Sequence, residues 1–496
     1  MNGNTMILQT SQRVRRGEQN VEHLLRRAGF GASQDEIDAY LAFGFSNTVD
    51  YLLRFDRVPD DVDSRIGTSG YIGMTVVNGP LAPARNITHA RQRWLFRMVH
   101  TRRPLQEKMT LFWHNHFATA YSKVAGELGA TEGARYMAAK PSEDPNQVRG
   151  QIETLREMAL GNFRDILVAM AKDVAMLVWL DGRQNVKARP QENFGRELME
   201  LFTMGVGHYT EEDVYAAARV FTGWNLARPG NGYYTFNYNA AQHDTTTKEF
   251  TFAVSPGGSK TIPARSAESG QQDGLDFIDA VARHPATGPR LATKLYRFFI
   301  SEIDKPDPAL IDQLSKIYYQ FDFEMKPVLA HLLRSPQFIA NSSRYARYSW
   351  PVEFVVRAIK EVGWTGFAIS DGNVLNPLLA MGQQLYEPPD VNGWDVGPGW
   401  FSSGGTLARM NFASTLATNQ KFNLRDGVRS EATSPEALLA LMTNRLTPQP
   451  FVTESYNALL DYVRAGGAWT GSDTEIANKA AGLAHLIVGS GEYQLV

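Results

Sequence analysis

DGRQNVKARPQENFGRELMELFTMGVGHYTEEDVYAAARVFTGW, residues 181–224, carries the clearest helix start and stop signals in the chain. Pro190 can occupy a first helical turn, where its missing N–H costs nothing, and Phe194, Leu198, Leu201 and Phe202 then recur at helical spacing until Gly205. That spacing predicts a helix with a buried stripe. Thr210 precedes Asp213 by three residues, so its hydroxyl can cap a free backbone N–H while the carboxylate sits at the positive helix end. A second helix is expected from there, with Phe194, Leu198, Leu201, Phe202, Val214 and Phe221 packed in one cluster between the pair.

Working outward, the 3.6-residue period recurs on both sides of this corner. On the amino-terminal side, VEHLLRRAGFGASQDEIDAYLAFGFSNTVDYLL reads as two helices with a Ser33/Glu36 capping signal between them. Leu105, Met109, Phe112 and His116 line one side of a helix within residues 85–120, and Phe163, Ile166, Leu167, Met170, Val174 and Leu177 line another within 162–180. On the carboxyl side, YYTFNY (233–238) and KEFTFAV (248–254) alternate as short strands do, which predicts a small β-hairpin insertion at about 233–254. Helical patterns then resume and run to Val496, interrupted by QQLYEPPDVNGWDVGPGWFSSGG (383–405). That stretch is too rich in Pro and Gly for a helix and too aromatic for a linker, so it is expected to be an ordered loop. The fold class predicted is mainly α: a mobile tail over 1–18, then one large helical domain over 19–496 with the hairpin insertion and long Pro/Gly/aromatic loops.

Composition narrows the chemistry. With 21% charged residues and a formal net charge of -2, the 496-residue chain lacks the basic excess of a nucleic-acid binder. Zero cysteines exclude disulfides, thiolate metal sites and a cysteine nucleophile. The first twenty residues lack the apolar run of a secretory signal, and no run of about 18 apolar residues suggests a membrane span. HExxH, GxSxG, Walker and strand-borne GxGxxG motifs are all missing.

Four groups of residues can carry chemistry. His114 and His116 lie one residue apart; they can share a metal on an extended backbone, whereas on a helix they point about 200° apart and cannot. The plainer reading makes His116 a hydrogen-bonded core residue. Asn193, Glu197 and Glu200 fall within about 60° on the first central helix, beside its apolar stripe, where carboxylates bind a metal, act as a base or pair with arginines such as Arg196 and Arg219. His243 and Asp244, with Lys248 four residues on, stand between the expected strands, either as a polar site or as a solvated turn. Tyr386, Trp394, Asp395, Trp400 and Phe401 in the aromatic loop either stack on sugar rings or anchor the loop to its own core.

HLLRRAGFG (23–31), LFWHNHFAT (111–119), ENFGRELMELFTMGVGHYTEEDVYAAARVFTGW (192–224), HDTTTK (243–248) and PPDVNGWDVGPGW (388–400) together resemble the large bacterial family of domain of unknown function 1800. The resemblance covers nearly the whole chain; Thr246 stands where the family usually has a glycine. It implies a secreted or periplasmic setting, although no signal peptide is visible here, and a sulfatase-like protein encoded nearby as a partner. Two functions are expected to compete. In the first, the protein is a metal-dependent extracytoplasmic hydrolase or transferase acting on a glycan or other polymer. His114, His116, His243 and Asp244 would then hold a divalent metal ion, Glu197 or Glu200 would be the base, and Tyr386, Trp394 and Trp400 would bind substrate. In the second, it is a non-catalytic secreted binding or assembly protein in which these groups are structural. The first requires the segments to converge on one concavity, with His243 and Asp244 at its rim.

Overall fold

The computed structural model describes residues 19–66, 81–230, 232–252, 259–363, 372–394, 396–418 and 424–496. The expected tail, the end of the second expected strand and Asp395 lie outside them. Eight helices position the candidate residues: α1 (residues 19–27), α2 (Ile87–His100), α3 (Pro104–His116), α4 (Asn193–Glu197), α5 (Glu211–Val220), α6 (Gln271–Arg283), α7 (Thr287–Phe299) and α8 (Pro351–Val362). The fold is mainly α. Among the described residues the sheets are two antiparallel pairs, and no helix is long and apolar enough to cross a membrane.

The central corner forms largely as its sequence dictates. Thr210 and Asp213 make a reciprocal capping box at the start of α5, and Ser33 and Glu36 make another at their helix. α4 begins at Asn193, three residues beyond Pro190, after a tight turn bridged between Val186 and Arg189. α4 does not continue as an α-helix. Residues Leu198–Phe202 form a π turn, in which each residue advances the chain around the axis by less than 100°. Phe194, Leu198, Phe202, Val214 and Phe221 are all buried in the main core as expected, while Leu201 is rotated to a half-buried position at its edge. Close approach of α4 to α5 depends on Gly195, where a Cβ would lie 2.7 Å from that of Ala217. One continuous apolar cluster reaches from Leu24 to Tyr493, so helices distant in sequence share a core.

The insertion differs in its pairing. Strand β1 (Trp224–Ala227) pairs with β2 (Thr235–Tyr238), and β3 (Lys248–Phe250) pairs with β4 (Lys260–Ile262). The two expected strands exist, but each takes a partner from outside the expected hairpin. Asp213 explains part of this: beyond its capping role it accepts the backbone N–H groups of Thr251 at 2.7 Å and Phe252 at 3.2 Å, drawing the end of β3 onto α5.

Candidate functional site

The WHNH segment at the end of α3 decides how the candidate residues are distributed. Because α3 is helical through His116, His114 and His116 diverge. His114 is buried against Trp94, Tyr386 and Trp394, and its Nε2 accepts the backbone N–H of Tyr386 at 3.1 Å. That bond places the ring proton on Nδ1, and burial brings its pKa down to about 3. Asn115 Oδ1 accepts the backbone N–H of Trp394 at 2.7 Å, beside Gly393, whose φ of 88° brings the loop backbone against Asn115. Two consecutive side chains thus hold the aromatic loop onto α3. Tyr386, Trp394 and Trp400 are buried, so their faces are covered by protein and could stack on a sugar only if the loop opened.

His116 faces the central corner instead. Its Nε2–H donates to the carbonyl of Phe202 at 3.0 Å, leaving Nδ1 to accept from the Lys294 ammonium or amine at 3.0 Å. Lys294, on α7, also donates to the carbonyl of Leu201 at 3.1 Å. The π turn supplies both carbonyls, since it ends α4 with C=O groups that no following turn satisfies. Among the described residues no carboxylate lies within ion-pair distance of Lys294. Burial, then the neighbouring charge of Arg290, brings its pKa down to about 7. The same two cations, after burial, lower that of His116.

Glu200 lies on this turn and accepts the phenol proton of Tyr209 in a short hydrogen bond; its charge also acts on Arg290. Glu197 is half-buried one turn earlier, with its pKa raised by burial and then by Glu200. The arginines expected to pair with them are engaged elsewhere: Arg196 with Glu211 at 2.7 Å, and Arg219 with Asp244 at 2.9 Å.

His243 belongs to a third environment. Its Nδ1 faces the Thr222 carbonyl at 2.8 Å and its Nε2 the Asp273 carboxylate at 3.2 Å. Asp273 also takes Lys248 at 2.6 Å and Arg265 at 2.5 Å. Asp244 is held by Arg219 and by the backbone and hydroxyl of Thr246, and after the opposing effect of burial these bonds keep its carboxyl well below the usual range. The non-glycine at 246 therefore finds a use as a second ligand of Asp244.

A metal does not fit these donors as they are arranged. The lone pairs of His114 and His116 are taken by a backbone N–H and by Lys294, and both nitrogens of His243 face oxygen acceptors. Among the described residues no group of three or more His, Asp or Glu could hold a metal ion. What the structure does bring together is His116 and the Glu200 turn, joined through Lys294. Sequence reading passed over that lysine. Its signal was present: Leu291, Lys294, Leu295 and Phe298 share one helical face, so Lys294 interrupts an otherwise apolar stripe.

No curated protein and no solved structure matches the chain. The family model described as protein of unknown function (DUF1800) matches residues 23–495. The match takes in α3, the π turn and the aromatic loop together, and the chain belongs to that family.

Proposed function

We propose that the protein is an enzyme, a hydrolase or transferase, whose basic group is the Lys294 amine. One observation carries the reading: a half-buried lysine without a carboxylate partner among the described residues, seated between a neutral imidazole nitrogen and a carbonyl. An ammonium so placed is costly, because burial removes its hydration and Arg290 repels it, so the neutral amine is favoured near pH 7. A neutral amine can take the proton of an attacking hydroxyl; the ammonium formed is held by Leu201 and His116 and can return that proton to the leaving oxygen. Glu200, on the same turn, accepts the hydrogen bond of the Tyr209 phenol, and this pair acts on Arg290, the cation that in turn acts on Lys294. In keeping with the setting that the family resemblance implies, the proposed substrate is an extracytoplasmic glycan or other polymer.

A non-catalytic binding or assembly protein is the second reading, favoured by the fact that His116 and Lys294 also cap the two carbonyls ending the π turn. Competitive acetylation of the intact protein across pH, read lysine by lysine by mass spectrometry, separates the two. The enzymatic reading expects Lys294 to titrate near 7 and to be labelled fastest at neutral pH. It also expects K294M to stay folded while losing any activity found on a panel of polysaccharides. A Lys294 that titrates near the ordinary lysine value of about 10 and labels no faster than surface lysines would leave only the capping role.

A further inference from the structure

Arg290 stands one helical turn before Lys294 on α7, and nothing inside the protein accounts for a guanidinium there. Lys294 caps the π turn; Arg290, among the described residues, makes no hydrogen bond and no ion pair. Its Nε is shut in without a partner, while the side chain is only half-buried and its two terminal nitrogens reach solvent. The guanidinium lies against Gly205, just beyond the π turn: a Cβ at that position would come within 2.6 Å of Nη1 and 3.2 Å of Cδ and Cζ. Gly205 also has a φ of 88°, so its backbone and the space above it both exclude a side chain. Arg290 is thereby seated over residues 201–205, whose Leu201 carbonyl takes Lys294 at 3.1 Å.

Residues four apart on a helix have Cβ atoms about 5–6 Å apart. Two cationic groups therefore share this corner, and among the described residues neither has a carboxylate within ion-pair distance. Glu200, whose charge acts on Arg290, is already taken by the Tyr209 phenol. Like charges one turn apart destabilise a helix, and Arg290 makes no bond in return. The plainer reading is that its stem covers Gly205 and its head is solvated; a methionine would cover the glycine as well without setting a charge beside Lys294. An open Nη1/Nη2 edge on a seated stem is a two-donor fork that matches a planar carboxylate. A single negative charge suits the corner, because Glu200 would repel a dianion.

We infer that Arg290 is the binding point for a carboxylate on the ligand of this corner, so that the glycan proposed as substrate is an acidic one built of uronate units. The uronate assignment rests on that proposed substrate; the carboxylate site does not depend on Lys294 acting as a base.

The test uses the full chain. Hexamers of galacturonate and of mannuronate, with maltohexaose as the neutral counterpart at equal ionic strength, are titrated into the protein by calorimetry. The expected result is saturable binding of an acidic hexamer but not of maltohexaose, weakened about ten- to a hundredfold in R290M by loss of charge-assisted hydrogen bonds. If R290M does not fold, phenylglyoxal modification of the wild type, read arginine by arginine by mass spectrometry, decides: Arg290 should react in the free protein and be protected by the acidic hexamer that binds. Lys294 acetylation is followed without any hexamer, so either reading can fail while the other stands. Binding of neither acidic hexamer, equal binding of maltohexaose, undiminished binding by folded R290M, or Arg290 modified equally with and without the acidic hexamers would overturn the inference.

Discussion

Acidification should unfold this protein partly through one residue, His114. Its pKa of about 3, against an ordinary 6.5, means that the folded state binds fewer protons than the unfolded state between those values, so stability is present above pH 6.5 and is lost as pH falls. For a single site with those two constants, the loss between about pH 7.5 and 4.5 is about 2.5 kcal/mol. The physical source is local: protonating the ring removes the lone pair that accepts the Tyr386 N–H and puts a charge among Trp94, Tyr386 and Trp394. His23, His116 and His284 are shifted downward as well, so wild-type acid unfolding alone does not isolate the effect. H114Q does, because an amide oxygen keeps an acceptor near Tyr386 but does not titrate. Urea unfolding at several pH values between about 7.5 and 4.5 is the assay. H114Q should lose about 2–3 kcal/mol less than wild type across that range. Identical pH slopes in the two proteins would refute the placement of His114 as a buried neutral acceptor.

Leu198 is buried under the π turn, and L198A should lower unfolding free energy by about 2–5 kcal/mol in chemical denaturation; a change of only a few tenths would mean its face is wrongly assigned. N115A removes the acceptor of the Trp394 N–H, so amide exchange in the described loop residues 384–394 should accelerate, with a stability loss of about 1–3 kcal/mol; unchanged exchange would mean that other contacts hold the loop. G195A forces a Cβ against Ala217 and should cost about 1–3 kcal/mol, largely recovered in the G195A/A217G double variant; no recovery would place the strain elsewhere.

Local chemistry was legible in the sequence wherever neighbours along the chain decide the outcome. The capping boxes at Ser33/Glu36 and Thr210/Asp213, the buried faces of α4 and α5, and the mainly helical class all follow from spacing within a few residues. Strand partners were not legible, because alternation marks a strand without naming what it pairs with, and Asp213 decided part of that from a different helix. The π turn was hidden for a similar reason: a single altered turn leaves the apolar spacing almost unchanged, yet it rotates Leu201 outward and frees the carbonyls that receive His116 and Lys294. Sequence therefore determined which side chains are polar on otherwise apolar faces, including His114, His116 and Lys294. Only the tertiary structure decided which of them meet. Helical phase fixes the direction of a side chain but not its height along the axis or the element that packs against it, and His114, His116 and His243, which looked like one ligand set in the chain, are drawn by those neighbours into three separate surroundings.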